Sequence, residues 1–197
     1  MLTLAFDTAT SVATSALVRE GKVLGERSSR ALTMLADAQE LLAESAVEPR
    51  QLDGVVVGTG PGSFTGVRMG IAAARTLALA LDVPVAGVST LVALAAGAEG
   101  AVPVIDAGRR EVFVLVDGEP EVLPPARVRV EPGTVCIGDG AVRYRDVLER
   151  LGAVVPDRTS ELHVPRARFH VALAREFGDP DGVEPLYLRI PDAERPR

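Results

Sequence analysis

The chain has 197 residues, a formal net charge of −6 and hydrophobic residues at 47% of its positions. That length can bury a substantial core in one domain or in two small lobes. An acidic chain without a cationic stretch is a poor lone binder of nucleic acid, because phosphate affinity comes largely from lysine and arginine. The single cysteine, Cys136, excludes an internal disulfide and fits a reducing compartment. We see neither a signal peptide nor an uninterrupted apolar run of membrane-spanning length, so we predict a cytoplasmic protein without membrane contact.

The first half of the chain alternates short apolar runs with helical patterns. Leu2 to Phe6 predicts a strand, and the two runs on either side of Glu20-Gly21 predict a hairpin. A helical pattern then extends to about Ser45, and we expect Ser28-Ser29 to cap it. The remaining elements are a strand at Val55, a helix from Val67 to Leu81, a strand from Val83 to Val88 and a helix from Leu91 to Ala96. This β-ββ-α-β-α-β-α order is that of an actin-like or ribonuclease-H-like lobe.

The second half begins in a similar way and then loses its regularity. Val102 to Ile105 and Glu111 to Val116 predict two strands, and prolines interrupt the chain after them. Three further elements are predicted: a strand at Val135 to Gly138, a helix at Arg143 to Leu151, and a helix that Pro165 begins and Gly178 ends. We therefore predict two lobes, residues 1–100 and 101–197, the second a reduced version of the first.

A glycine-rich loop, Gly58 to Gly66, reads Gly-Thr-Gly-Pro-Gly-Ser-Phe-Thr-Gly between a predicted strand and a predicted helix. Such a loop presents backbone N–H groups to an anion or to another backbone. It is not a P-loop, because that motif ends in Gly-Lys-Ser/Thr and the one lysine of the chain is Lys22. The Gly-x-Gly-x-x-Gly spacing of a dinucleotide site is also unmet.

The helix after this loop carries small residues at every fourth position, which form one straight ridge: Gly62, Gly66, Gly70, Ala74 and Ala78. A smooth ridge lets another backbone come close. Two interpretations stay open, namely packing on the chain's own sheet and contact with a partner protein. Because only Arg68 and Arg75 carry charge on this helix, we favour a helix covered on more than one side, with a partner as the second cover.

Catalytic chemistry is sparse in the sequence. Asp7-Thr8 and Asp106 end the first predicted strand of each half, where actin-like ATPases cradle nucleotide phosphates and hold a metal. No lysine follows either turn, and Ala107 replaces a hydroxyl residue, so we interpret both turns as inherited strand ends. His163 and His170 lie seven residues apart, which does not fit a His-x-x-x-His metal pair. We expect both histidines to lie at the surface or to be hydrogen-bonded in the interior.

The two remaining candidate nucleophiles are no better placed. Ser63 lacks the Gly-x-Ser-x-Gly context of a hydrolase nucleophile. Cys136 lies in a Val-Cys-Ile run that is typical of core packing. We predict no catalytic residue and no metal site.

Several segments taken together resemble the bacterial TsaB family. They occur in the family's order along nearly the whole chain: Ala5 to Thr10, Gly58 to Gly70, Gly87 to Leu91, Ile105 to Ala107, Arg110 to Phe113, and Glu184 to Arg189. The resemblance implies a two-lobed actin-like (ASKHA, ribonuclease-H-like) α/β fold whose nucleotide machinery has decayed. It also implies a non-catalytic accessory subunit in making threonylcarbamoyladenosine in tRNA.

The partners that this resemblance implies are a TsaD homologue, which transfers the threonylcarbamoyl group, and a TsaE homologue. It implies pairing with TsaD through helices of the first lobe, tRNA contact only through the complex, and self-association of the isolated chain. No intrinsic cofactor is expected, and a nucleotide at a subunit junction stays open. The competing hypothesis is a peptidase- or kinase-like enzyme of the same superfamily. The predicted partner interface comprises Met34, Leu41, Gly62, Phe64, Gly66, Arg68, Gly70, Ile71, Ala74 and Arg75.

Overall fold

The computed structural model describes residues 1–188, which form two sheets with helices packed around them. The predicted loose tail beyond residue 189 lies outside the described residues. The strands are β1 (Leu2–Asp7), β2 (Ala13–Arg19), β3 (Lys22–Ser29), β4 (Gly54–Gly58), β5 (Val85–Val88), β6 (Val102–Gly108), β7 (Glu111–Val116), β8 (Glu119–Leu123) and β9 (Cys136–Ile137). The helices are α1 (Met34–Glu44), α2 (Phe64–Leu81), α3 (Thr90–Ala95), α4 (Asp139–Arg143), α5 (Arg145–Arg150) and α6 (Ala167–Leu173).

The first sheet has five strands in the order β3-β2-β1-β4-β5. β1, β4 and β5 run parallel, while β2 is antiparallel to both β1 and β3. The β2–β3 turn places Glu20 and Gly21 at φ of 50° and 79°, the positive values that a two-residue hairpin turn requires. The central strands β1 and β4 are buried at every position, as expected for parallel strands covered on both faces. The predicted actin-like strand order is confirmed for this sheet.

Helices cover both faces of the first sheet. α1 and α2 pack on one face, where Leu4, Phe6 and Val57 belong to the same core as Leu41 and Ala74. α3 and α6 lie on the other face, where Ala5 and Val56 pack near Ala93 and Ala167. The division into two lobes at residue 100 stays a prediction. α6 follows the second sheet along the chain but packs on the first.

The second sheet is smaller, with four strands in the order β8-β7-β6-β9. Its own core includes Val104, Cys136 and Leu148. A separate cluster joins Leu91 and Leu94 of α3 to Ile105, Phe113 and Ile137 of the second sheet. α3 thus lies between the two halves and packs against both.

Three predicted boundaries were wrong for local reasons. Ser28 and Ser29 belong to β3 and do not cap a helix, since a 3-10 turn at Ala31–Thr33 precedes α1. The helix predicted over residues 143–151 corresponds to α5, and a separate short helix, α4, precedes it on the other side of Tyr144. α6 ends at Leu173 and not at Gly178, because Gly178 exchanges backbone hydrogen bonds with Val85 beside β5.

α2 is also long and apolar enough to pass for a membrane span by length and composition alone. Six of its residues are buried in the protein: Gly66, Val67, Gly70, Ile71, Ala74 and Ala78. The core helix of a soluble protein has the same composition, so this match is weak evidence for a membrane.

Candidate functional site

The glycine-rich loop is closed by hydrogen bonds within the chain. The Ser63 N–H donates to the Ala9 carbonyl oxygen at 2.7 Å, and the Leu186 N–H donates to that of Thr59 at 2.8 Å. The Ser63 hydroxyl accepts the Gly66 N–H at 3.2 Å and so caps α2. The donors that could bind an anion at this helix end are thus partly used by the protein itself.

The ridge of small residues on α2 faces the turn that follows β1. A Cβ added at Gly62 would lie 2.2 Å from the Ala9 carbonyl oxygen, and one at Gly66 would lie 2.0 Å from that of Thr8. At Gly70 the nearest atom would be Thr8 Oγ1, at 2.4 Å. Of the two interpretations of the ridge, packing on the chain's own sheet therefore accounts for it.

This geometry corrects part of the predicted partner interface. Six of the predicted residues are directed into the chain's own packing and offer little or no surface to a partner: Met34, Leu41, Gly66, Gly70, Ile71 and Ala74. Gly62 is only partly exposed and lies against the Ala9 carbonyl. Phe64 and Arg68 are exposed and Arg75 is half-buried, so their role at an interface stays a prediction.

The outward face of α2 carries several apolar residues beside the exposed Arg68. Leu79 is 64% exposed, and Ala72, Thr76 and Ala80 are exposed beside it. The 3-10 turn before α1 packs beside α2, and this region adds Leu32, 88% exposed, and Leu35, 54% exposed. We call these six residues the apolar face. Exposed apolar side chains that are grouped in one region of a soluble protein often mark a binding site.

Both arginines of α2 bind the segment that follows α6. The Arg68 Nε donates to the Tyr187 hydroxyl at 2.5 Å, and its guanidinium lies 3.9 Å from the centre of the Phe64 ring. The Phe64 and Tyr187 rings stack with their centres 5.5 Å apart. Arg75 donates to the carbonyl oxygens of Asp181 and Val183 at 3.0 and 2.7 Å. A groove of about 440 Å³ remains between this segment and α2, next to the apolar face.

Asp7 lies at the centre of a buried polar network. Its side chain is fully buried, and its Oδ1 accepts the Ala9 N–H at 2.7 Å. Its Oδ2 accepts the Thr90 hydroxyl at 2.5 Å and faces His170 Nε2 at 2.8 Å. Thr90 and His170 are also fully buried. The histidine is thus an interior, hydrogen-bonded residue, one of the two alternatives expected for it.

This network does not fit the roles that an actin-like ATPase or a hydrolase would give it. A metal on Asp7 would have to displace donors that already occupy both carboxylate oxygens. In a hydrolase triad the imidazole lies between hydroxyl and carboxylate, whereas here the carboxylate lies between hydroxyl and imidazole. No group of three or more metal-ligating side chains occurs among residues 1–188.

The matching turn of the second half lines a cleft of about 710 Å³ between the two sheets. Asp106 pairs with Arg143 and accepts the Gly108 N–H at 3.1 Å. The Asp106 N–H donates to Asp139 Oδ1 at 2.9 Å. Burial raises the pKa of Asp139, the Asp106 N–H bond opposes that rise, and the Asp106 charge adds to it. Asp106 and Asp139 thus lie on one wall of the cleft, which Arg109 also lines.

Cys136 and His163 are the last of the candidate residues named from the sequence. The Cys136 side chain is fully buried in the second core, and burial raises the pKa of its thiol to about 11, so it packs as predicted. His163 is buried, and its Nδ1 accepts the Gly138 N–H at 3.1 Å.

Known proteins resemble this chain over nearly its full length. It is 38% identical to an uncharacterized protein of Mycobacterium tuberculosis over 203 residues, 97% of this chain and 93% of the relative. It is 31% identical to the Bacillus subtilis tRNA threonylcarbamoyladenosine biosynthesis protein TsaB, over 98% of this chain and 96% of the relative. The model of the TsaD family, tRNA N6-adenosine threonylcarbamoyltransferase, matches residues 21–128.

Solved structures agree with these relatives. A Pseudomonas aeruginosa protein described as similar to peptidase YeaZ aligns with a TM-score of 0.77 and 32% identity, over 95% of this chain and 99% of that chain. The ethanolamine utilization protein EutJ of Carboxydothermus hydrogenoformans aligns with a TM-score of 0.51 at 11% identity, which supports the actin-like fold alone. Full-length likeness to a named TsaB, together with the shared fold, decides the family: the chain belongs to the TsaB family of tRNA threonylcarbamoyladenosine biosynthesis proteins.

Proposed function

We propose that this protein is a non-catalytic accessory subunit that binds and activates a TsaD homologue when threonylcarbamoyladenosine is formed in tRNA. The observation that carries the proposal is the apolar face on α2 and around the start of α1. Membership of the TsaB family indicates the pathway in which the protein acts, and the apolar face is the reason to expect a protein partner.

The energetics favour covering this face. Complete burial of a leucine contributes about 1.5–3 kcal/mol, and Leu32, Leu35 and Leu79 together leave most of their surface in water. Arg68 and Arg75, the two charged residues of α2, are engaged with the segment at residues 181–187 and lie beside this face. A partner that presents a complementary apolar helix would bury these leucines, and the surplus over the entropy lost on association would favour the complex.

The Asp7 network supports a non-catalytic role. The side chains that would serve as metal ligand, base and hydroxyl are fully buried and bonded to one another. A reacting group must contact substrate, and none of these three can do so in the described structure. We therefore assign the chemistry to the TsaD partner.

The same proposal covers the wider assembly. A TsaE homologue would join the pair, tRNA would contact this acidic chain only through the complex, and the complex would work in the cytoplasm. Without its partner, the apolar face would associate with the same face of a second copy, because either contact removes the same leucines from water.

The decisive experiment is reconstitution of tRNA threonylcarbamoylation from purified TsaD, TsaE and the adenylate-forming enzyme, with and without this chain. We expect activity to require the chain, and we expect Leu79→Glu to weaken binding to TsaD at least tenfold because a charge enters the apolar face. The matched control is Val154→Glu, at a half-exposed position in the second half of the chain, which should bind like wild type. Equal activity without the chain, or equal loss in both variants, would reject the proposal.

The competing enzymatic hypothesis makes a different prediction. The likeness to a structure described as peptidase-like is the observation in its favour. Peptide cleavage or ATP turnover by the isolated, purified chain would support it. Loss of that activity in an Asp7→Asn variant that stays folded by circular dichroism would identify the buried network as the site.

A further inference from the structure

The groove beside the apolar face is positively charged. Arg68 and Arg75 both line it, and none of the described residues that line it is acidic. The neighbouring segment carries Asp181 and Glu184, but neither of them lines the groove. A groove with charge of one sign attracts a group of the opposite sign, so an acidic group is the expected occupant.

Arg68 is held in place by two aromatic side chains. Its Nε donates to the Tyr187 hydroxyl at 2.5 Å, and its guanidinium carbon lies 3.9 Å from the centre of the Phe64 ring. None of the ion pairs in the described part of the chain includes Arg68. A guanidinium has five N–H donors, so the donors on its two terminal nitrogens stay available for a carboxylate.

Arg68 also stands at one end of a stripe of exposed residues on α2. Arg68, Ala72, Thr76 and Leu79 are all exposed, and they follow one another at intervals of three or four residues. At a rise of about 1.5 Å per residue, Arg68 and Leu79 lie about 17 Å apart along the helix axis. A helix that covers this stripe therefore meets a cation at one end and a leucine at the other.

The helices of a second copy of the chain do not offer Arg68 an unengaged carboxylate. α2 contains no acidic residue. The acidic residues of α1 already contact β3 of their own chain: Asp37, Glu40 and Glu44. Self-association through these helices would thus remove the leucines from water without giving Arg68 an ion pair.

We infer that, in the partnership with TsaD proposed above, the TsaD helix that covers the apolar face presents an aspartate or glutamate carboxylate to Arg68. Tyr187 and Phe64 already orient the guanidinium, so the contact costs little side-chain freedom. The carboxylate end of the TsaD helix lies over Arg68 and its apolar end over Leu79, so the ion pair also sets the direction of the partner. Arg68 thereby favours TsaD over a second copy, since specificity is a difference between two affinities.

The test is calorimetry of the purified full chain with its TsaD homologue. Arg68→Glu should weaken binding at least about tenfold, because it sets two carboxylates against each other. The matched control is Arg150→Glu, the same change of charge at an exposed arginine of α5, which should bind like wild type. Equal binding by the two variants would overturn the ion pair and leave the proposed function intact. A wild-type chain that does not bind TsaD would overturn both.

An exchange of charges identifies the partner residue. Among single variants of TsaD with an aspartate or glutamate replaced by arginine, one should bind Arg68→Glu more tightly than it binds the wild-type chain. If no such variant exists, no carboxylate of TsaD lies opposite Arg68 and the inference fails. In sedimentation velocity, self-association that is absent or is unchanged in Arg68→Glu agrees with a preference for TsaD. Self-association that weakens as much as TsaD binding would overturn that preference.

A measurement on wild type alone protects the test against a variant that fails to fold. The affinity for TsaD should fall at least about threefold as the salt concentration rises from about 0.05 M to about 0.5 M, because salt screens an ion pair near the surface. Arg68→Gln should bind more weakly than wild type and respond less to salt. An affinity that does not change with salt would overturn the ion pair.

Discussion

The two faces of α2 are both rich in small and apolar residues, yet they make different contacts. The inner face is built of glycine and alanine and lies against the Thr8–Ala9 turn at distances that exclude even one additional carbon at Gly66. The outer face carries Leu79 and small residues that touch little of the protein itself. The comparison teaches that small residues at every fourth position and an apolar surface are separate signals. The first reports close packing within the chain, and the second suggests a partner.

The largest expected effect comes from removing the carboxylate that holds the turn under the inner face. Asp7→Ala leaves Thr90, His170 and the Ala9 N–H without their acceptor in a fully buried site. We expect the free energy of unfolding to fall by about 3–5 kcal/mol, because each buried donor left without an acceptor costs about 1–3 kcal/mol. Chemical denaturation of wild type, both single variants and Asp7→Ala/His170→Ala checks this prediction. Fully additive losses would contradict coupling between the two side chains.

A direct test of the two faces compares additions on opposite sides of α2. Gly70→Leu forces a side chain against Thr8 Oγ1, which would lie 2.4 Å from the new Cβ, whereas Ala72→Leu adds the same side chain on the exposed side. We expect Gly70→Leu to destabilise by at least about 1–3 kcal/mol through overpacking. Ala72→Leu should stay within about 0.5 kcal/mol of wild type. Similar thermal midpoints for the two variants would contradict the assignment of inner and outer faces.

The close packing at Gly70 also changes how a loss of tRNA modification in Gly70→Leu would be interpreted. The ridge alone suggests that such a variant loses its partner while its fold persists. The structure instead predicts damage to the core of the first sheet. Leu79→Glu separates the two causes, because Leu79 lies on the apolar face and makes no such contact.

Much of the first sheet follows from local sequence patterns. Apolar runs at Leu2 to Phe6 and around Val55 become buried parallel strands, and the positive φ values of Glu20 and Gly21 fit the hairpin expected there. Such patterns involve residues that are close in the chain, so these elements can be predicted from a single sequence.

Long-range pairings could not be predicted in the same way. The contact between Asp7 and His170 joins residues 163 positions apart, and no spacing rule connects them. Tertiary packing also decides that α6 lies on the first sheet. It decides as well that Arg68 and Arg75 bind the segment after α6. The two arginines of α2 look like ordinary surface charges in the sequence. In the structure they bind the chain's own segment.

The smallest expected effect concerns that segment. Tyr187→Phe keeps the ring that stacks on Phe64 and removes the hydroxyl that accepts the Arg68 Nε–H. Because both side chains are partly in water, the loss in folding stability should be at most about 0.5–1.5 kcal/mol. Tyr187→Ala also removes the stacked ring, so it should lose more folding stability than Tyr187→Phe.

If the segment helps to shape the groove beside the apolar face, both variants should weaken TsaD binding in calorimetry, Tyr187→Ala more than Tyr187→Phe, while Val154→Glu binds normally. Wild-type affinity in Tyr187→Ala would confine the partner contact to the apolar face and leave the segment with a structural role only.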